Sequence, residues 1–429
     1  MGQKSGALQR NLMTEFYIFG ASLAAINAIR ILLKNGQRVC WQKMGERPLG
    51  HFGGIKLGDD LIDLGMVFLE YGSTNSTKPQ TSRFPEIHGA LNALFPMMEV
   101  RPAVVKSFRG GLLFDDIIIA DNINKIKDQH RATEPILHHP REKWSNDYFE
   151  EHSYEMVCLA MFPEFYDKYL RCFAEKITSS RQNYLSARYH RTAWLPMYYP
   201  ETIAATTKNF RSYPFHRPQR NSIASHMQSI VQDIESNPDC FISDTPDNFS
   251  LKQKLNNLYD VPRKNIILCC RPEKLWPAWN EQTRPHIIHQ RLNIGFFRVK
   301  KLTELEIDCI NDLDHPYIFR VFIQDSDPVN DYFIISVEFS GNWKNSDAAE
   351  AKVQEYLTSI DIFFDIEPIK MMLGISGPSF PRVGAERKFE ILASKIHEMY
   401  KGCIIHGLSN GFSHTSMNAQ IIATSRTGE

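Results

Sequence analysis

The sequence predicts an α/β protein that opens on a βαβ unit, and three observations carry that expectation. The apolar run Phe16-Tyr17-Ile18-Phe19 ends on Gly20, residues 21–33 place apolar side chains at helical spacing, and Arg38-Val39-Cys40-Trp41 resumes as a second strand after the stop signal Asn35-Gly36. In such units a diphosphate rests on the helix N-terminus, because free N–H groups and the positive end of the helix dipole face it there. The turn between strand and helix decides whether it can.

The full turn pattern is G-x-G-x-x-G, and the chain reads Gly20-Ala21-Ser22-Leu23-Ala24-Ala25. Gly20 keeps the tight turn, and Ala25 suits the third position, where a small residue lets helix and strand approach. Ser22 puts a side chain where bare backbone meets the pyrophosphate, with a hydroxyl able to donate to a phosphate oxygen. The acid that receives the ribose hydroxyls, about twenty residues on, is replaced by Lys43, and a cation cannot accept hydrogen bonds. Gln42 and Glu46 are candidate stand-ins, and an adenosine end held differently is the alternative. Taken alone, the turn reads equally well as ordinary α/β packing. If it does hold a diphosphate, Gly20→Val is expected to remove the ligand without unfolding the protein.

With 429 residues, 43% hydrophobic and 11% aromatic, the chain can bury a large core in two or three lobes. Its formal net charge of zero gives no electrostatic footprint for nucleic acid or an anionic membrane. The apolar segment 16–33 is broken by Asn27 and Arg30 and reads as part of a buried βαβ unit, not a signal or anchor. Gly6 stands where myristoylation expects a serine or threonine. Eight cysteines without a C-x-x-C pair point to a reduced, cytoplasmic protein, with Cys269-Cys270 as core. His138-His139, His286 and His289 lack zinc-site spacing, so no metal is expected. Neither a G-x-S-x-G elbow nor a complete P-loop occurs.

Residues 140–180 are rich in Tyr, Phe and Met at helical spacing and predict an inserted helical segment, a lid or a dimer surface. The proline-bracketed stretch 194–202 is a stiff segment suited either to a cleft wall or to core packing. Arg188, His190 and Arg191 before it are an anion clamp or a solvated helix end.

The stretch 35–50, ending Glu46-Arg47-Pro48-Leu49-Gly50, resembles the start of the FAD-dependent amine oxidase, phytoene desaturase and UDP-galactopyranose mutase superfamily. Ile62-Asp63-Leu64-Gly65-Met66 is similar to that family's aspartate-x-glycine strand. Phe412-Ser413-His414-Thr415-Ser416-Met417-Asn418 resembles its last flavin-binding segment, with spacing nearest the mutase branch. Fainter likenesses lie between: a returning helix at 223–234, a flavin-sheet strand at 265–271, and substrate-sheet strands at 317–320 and 333–339. Several family positions are altered. Leu49 replaces the first of paired glycines, Asn418 replaces an acid, Leu408 replaces the mutases' arginine after Gly407, and Arg217-Pro218-Gln219-Arg220 fills the region of another glycine pair.

The resemblance implies a Rossmann-like, doubly wound FAD-binding domain (residues 14–75, 210–275 and 385–429), a mainly helical insertion or lid (76–209) and a substrate-domain sheet with helix (276–384). It implies FAD held by Gly20, Ser22, Ala25, Lys43, Arg47, Gly50, Gly407, Met417 and Asn418. His51 beside the flavin, His414 as a proton-exchanging group and Arg320 as an anion contact are the implied catalytic residues. The leading functional reading is a flavin-dependent oxidoreductase or mutase-like enzyme acting on a polar small molecule such as a nucleotide-linked sugar. The alternative is a pseudoenzyme that has lost FAD and works as a scaffold, a partner subunit or a nucleotide-binding protein. A homodimer or a partner protein is a further expectation.

Overall fold

A computed structural model describes residues 15–70, 84–118, 146–197, 215–243, 251–301, 306–327, 332–411, 416–425 and 427. The chain forms two compact units, one of residues 1–50, 229–277 and 393–429, the other of 51–228 and 278–392. The described residues 51–70 and 215–228 fall in the second unit. Among the described residues no helix is long and apolar enough to cross a membrane.

The first unit is built on five parallel strands in the order Cys240–Ser243, Arg38–Gln42, Glu15–Phe19, Ile266–Leu268, Ile404–Ile405. Glu15–Phe19 is central, with Ile18 and Phe19 buried, as a two-sided parallel strand requires. The chain adds strands first on one side of it and then on the other. The switch falls between Glu15–Phe19 and Ile266–Leu268, and ligands of open α/β sheets bind beyond the carboxyl ends of such a pair. Helix Leu23–Lys34 follows the first strand and ends at Asn35, close to the expected stop. Its buried Asn27 donates to the Thr424 hydroxyl (2.8 Å) and the Ile421 carbonyl, tying it to the last helix, Met417–Thr424.

The second unit holds a mixed seven-stranded sheet in the order Phe363–Pro381, Ile287–Lys301, Tyr332–Phe339, Ile318–Asp327, Cys309–Asp312, Val105–Arg109, Leu112–Asp115. Only Cys309–Asp312 and Val105–Arg109 pair in parallel. Helix Ser346–Ser359 lays Ala349, Val353 and Leu357 among Phe297, Ile335 and Val337. A second core gathers Tyr154, Phe162, Tyr166 and Phe173 of the helical stretch around Phe319 and Phe322. The described residues 154–178 of this stretch are helical, and Tyr154, Phe162, Phe165, Tyr166 and Phe173 are core. Within the stretch 194–202, Trp194, Leu195 and Met197 pack with this cluster, whereas 198–202 lie outside the described residues.

Gly20 is required by both conformation and space. Its φ is +111°, and a Cβ would lie 2.4 Å from the Cys270 nitrogen and 2.6 Å from the Cys269 carbonyl carbon. Those are backbone atoms, so no side chain can yield. Gly20→Val is therefore expected to cost about 2–5 kcal/mol of stability, correcting the expectation that it acts on ligand alone. Chemical denaturation of wild type and variant checks this, and equal midpoints would contradict it.

Candidate functional site

At the switch point the turn 20–25 faces the loop that follows Ile266–Leu268. The Gly20 N–H donates to the Gln42 carbonyl (2.9 Å), and the Trp41 indole donates to the Gly20 carbonyl (2.8 Å), so the second strand fixes the turn. Glu46 crosses it. One carboxylate oxygen accepts from the Ala21 N–H (3.1 Å) and the other from the Arg271 N–H (2.9 Å), joining the loops beyond the first and fourth strands.

The neighbouring donors are also engaged. The Ala24 N–H donates to Gln420 Oε1 (3.2 Å) and the Ala25 N–H to Ser22 Oγ (3.4 Å). The Ser22 hydroxyl donates to the Cys269 carbonyl (3.0 Å). It is a helix N-cap, and its proton points into the protein rather than at a phosphate. Leu49 is buried at φ +66°, with its N–H donating to the Ala21 carbonyl (2.7 Å). A diphosphate here needs the amides that Glu46 and Gln420 hold, and it meets the negative charge of the Glu46 carboxylate. The turn as it stands does not fit FAD.

Among the other expected cofactor residues, Lys43 ion-pairs with Glu235 (2.9 Å). Glu46, a candidate ribose acceptor from sequence, serves the turn instead. Arg47 and Gly50 are exposed on the segment after it, and Gly407 lies at φ +73° on the loop after Ile404–Ile405. Met417 and Asn418 open the last helix, whose N-terminus is capped by the Ser416 hydroxyl accepting from Ala419 N–H (3.1 Å). The structure thus brings Gly20, Ser22 and Ala25 together with two residues that spacing did not single out for the turn, Gln420 and Arg271. Cys269 and Cys270 are buried free thiols, and burial pushes both pKa values up, as suits core residues.

The expected catalytic residues are placed differently. His414 lies outside the described residues, as do His138 and His139. His51 is exposed in the second unit and packs on Phe52, ring centroids 3.8 Å apart. Arg320, also in the second unit, is only 4% exposed. Its Nη1 donates to Glu338 Oε2 (2.9 Å) and its Nε to Asn311 Oδ1 (3.1 Å). The other Glu338 oxygen accepts from the Met66 N–H (2.7 Å), and a Cβ on Gly65 would meet that oxygen at 2.4 Å. Arg320 is thus a member of a buried ion pair. Asp63 of the same aspartate-x-glycine run accepts from the Ala224 N–H (2.7 Å) and the Ile223 N–H, capping helix Ile223–Glu235. In the cation cluster, Arg188 pairs with Glu386 (2.7 Å) and Glu150, and His190 Nδ1 lies 2.6 Å from the Leu195 carbonyl.

Among solved structures, UDP-galactopyranose mutase in its reduced form superimposes with a TM-score of 0.63 at 12% identity, over 96% of this chain and 92% of that one. Putrescine oxidase bound to putrescine gives 0.58 at 10% identity, over 97% and 98%. Cyclohexylamine oxidase from Brevibacterium oxydans gives 0.55 at 10% identity, over 97% of both. No family model and no curated protein sequence matches the chain. The chain therefore has the fold of UDP-galactopyranose mutase and of these oxidases, as the resemblance at its two termini implied.

The Arg320–Glu338 pair gives a direct test. Glu338→Ala leaves a buried guanidinium uncompensated and is expected to lower stability by about 3–5 kcal/mol. Urea denaturation reads it, and a loss under about 1 kcal/mol would contradict the assignment.

Proposed function

We propose that this protein keeps the flavoenzyme fold without FAD as a resident cofactor, and works by binding, as a scaffold or partner subunit, rather than by redox turnover. The five-stranded sheet is read as a Rossmann-like dinucleotide-binding sheet whose ligand position has been closed by the protein's own groups. One observation carries the reading: Glu46 accepts from both the Ala21 and Arg271 amides at the switch point. Ser22, Gln420 and the Lys43–Glu235 pair support it, since each gives a position the cofactor would use an internal partner. Eight free cysteines agree with a reducing, cytoplasmic setting.

The visible spectrum of the purified protein, before and after incubation with FAD and desalting, tests this. The expected result is a colourless protein that retains no flavin, while a yellow protein releasing stoichiometric FAD on denaturation would overturn the proposal. Glu46→Ala frees both amides and is expected to tighten FAD or ADP binding at least about tenfold, or about 1.4 kcal/mol, over wild type. Equal affinity in calorimetric titration would show that Glu46 does not guard the turn.

A further inference from the structure

The second unit carries a cluster of guanidinium groups that the reading above does not use. Strand Phe215–Pro218 lies between Leu69–Glu70 and Val100–Pro102, which places Arg217 beside Arg101. Both arginines bind one buried carboxylate, Asp308. Arg101 grips it through both terminal nitrogens, Arg217 Nη1 donates to Oδ1 (3.0 Å), and the Val104 N–H donates to Oδ2 (2.8 Å). Arg217 is buried and completes its contacts on the Gln324 carbonyl (2.8 Å) and over the Phe322 ring. Arg101 remains 44% exposed. One carboxylate cannot neutralise two guanidiniums.

These groups line a cavity of about 550 Å3, and Arg220 is added at its edge by the turn after Pro218, where Asn221 adopts φ +62°. Arg220 is exposed, and among the described residues it makes no ion pair. Among the described residues Glu306 is the one further carboxylate on the lining, so there three guanidiniums face two acids. The rest of the wall includes the apolar side chains of Ile307, Ile323 and Phe333. Arginine forks favour the tetrahedral, doubly charged oxygens of a phosphate, while an apolar wall has no use for a bare ion.

We propose that this cavity binds a small organic phosphate, with Arg220 and the outer edge of Arg101 on the phosphate and the apolar wall on the organic body. The site lies wholly within the second unit and does not depend on whether FAD binds the first. Phenyl phosphate is the probe, titrated calorimetrically and by phosphorus NMR into the full chain without FAD, with inorganic phosphate and benzoate as comparisons. Saturable one-to-one binding of phenyl phosphate with a Kd below about 1 mM is expected, tighter than either comparison and weakened at least tenfold in Arg220→Gln. That variant changes an exposed side chain that makes no ion pair among the described residues, so its thermal midpoint should equal wild type. No saturable binding of phenyl phosphate, equal affinity in Arg220→Gln, or benzoate binding as tightly as phenyl phosphate would each overturn the assignment.

Discussion

Glu46 holds together two loops that the topology of the sheet would otherwise leave as open donors. The amides of Ala21 and Arg271 stand beyond the carboxyl ends of the first and fourth parallel strands, where such sheets ordinarily receive a ligand. A backbone N–H buried without an acceptor is costly, so each such donor needs one from a ligand, from water or from the protein itself. A carboxylate with one oxygen for each amide does this, and it places negative charge where the helix dipole favours it. The other changes at the turn follow. Ser22 caps the helix and reaches Cys269, Gln420 takes the Ala24 amide, and Lys43 turns to Glu235.

Most of the fold was legible because it is written in local patterns. The βαβ opening follows from short apolar periodicities and turn residues, whereas the strand at 266–268, the helix Ile223–Glu235 and the neighbouring strands Ile318–Asp327 and Tyr332–Phe339 were legible through the resemblance. Gly20 was legible as a turn residue, but its contact with Cys269 and Cys270 was not, because those backbone atoms come from a strand about 250 positions along the chain. The role of Glu46 was hidden for the same reason. Its second amide belongs to Arg271, 225 residues away, and spacing along the second strand suggested a ribose contact instead. Arg320 was legible as an arginine on a strand of the second sheet, but its pairing with Glu338 was not, because that partner comes from the neighbouring strand.

Charge in the second unit is distributed by one rule with two outcomes. Where a buried cation has a carboxylate of its own, as Arg320 has Glu338, the pair locks a strand to the Gly65-Met66 segment. Where two cations share a single carboxylate, as Arg101 and Arg217 share Asp308, an attractive potential is left over. Burial alone would push the Asp308 carboxyl up, yet the Arg101 hydrogen bonds, the Arg217 charge and the Val104 amide together hold it below its usual value.

Amide hydrogen exchange over segments 20–25 and 269–272, followed with and without excess FAD, measures the closed turn most directly. Internal acceptors on the Ala21, Ala24 and Arg271 amides should give slow exchange that FAD leaves unchanged. Rapid exchange in the free protein that FAD slows at those amides would mean that the turn is open and that Glu46 yields its place to a cofactor.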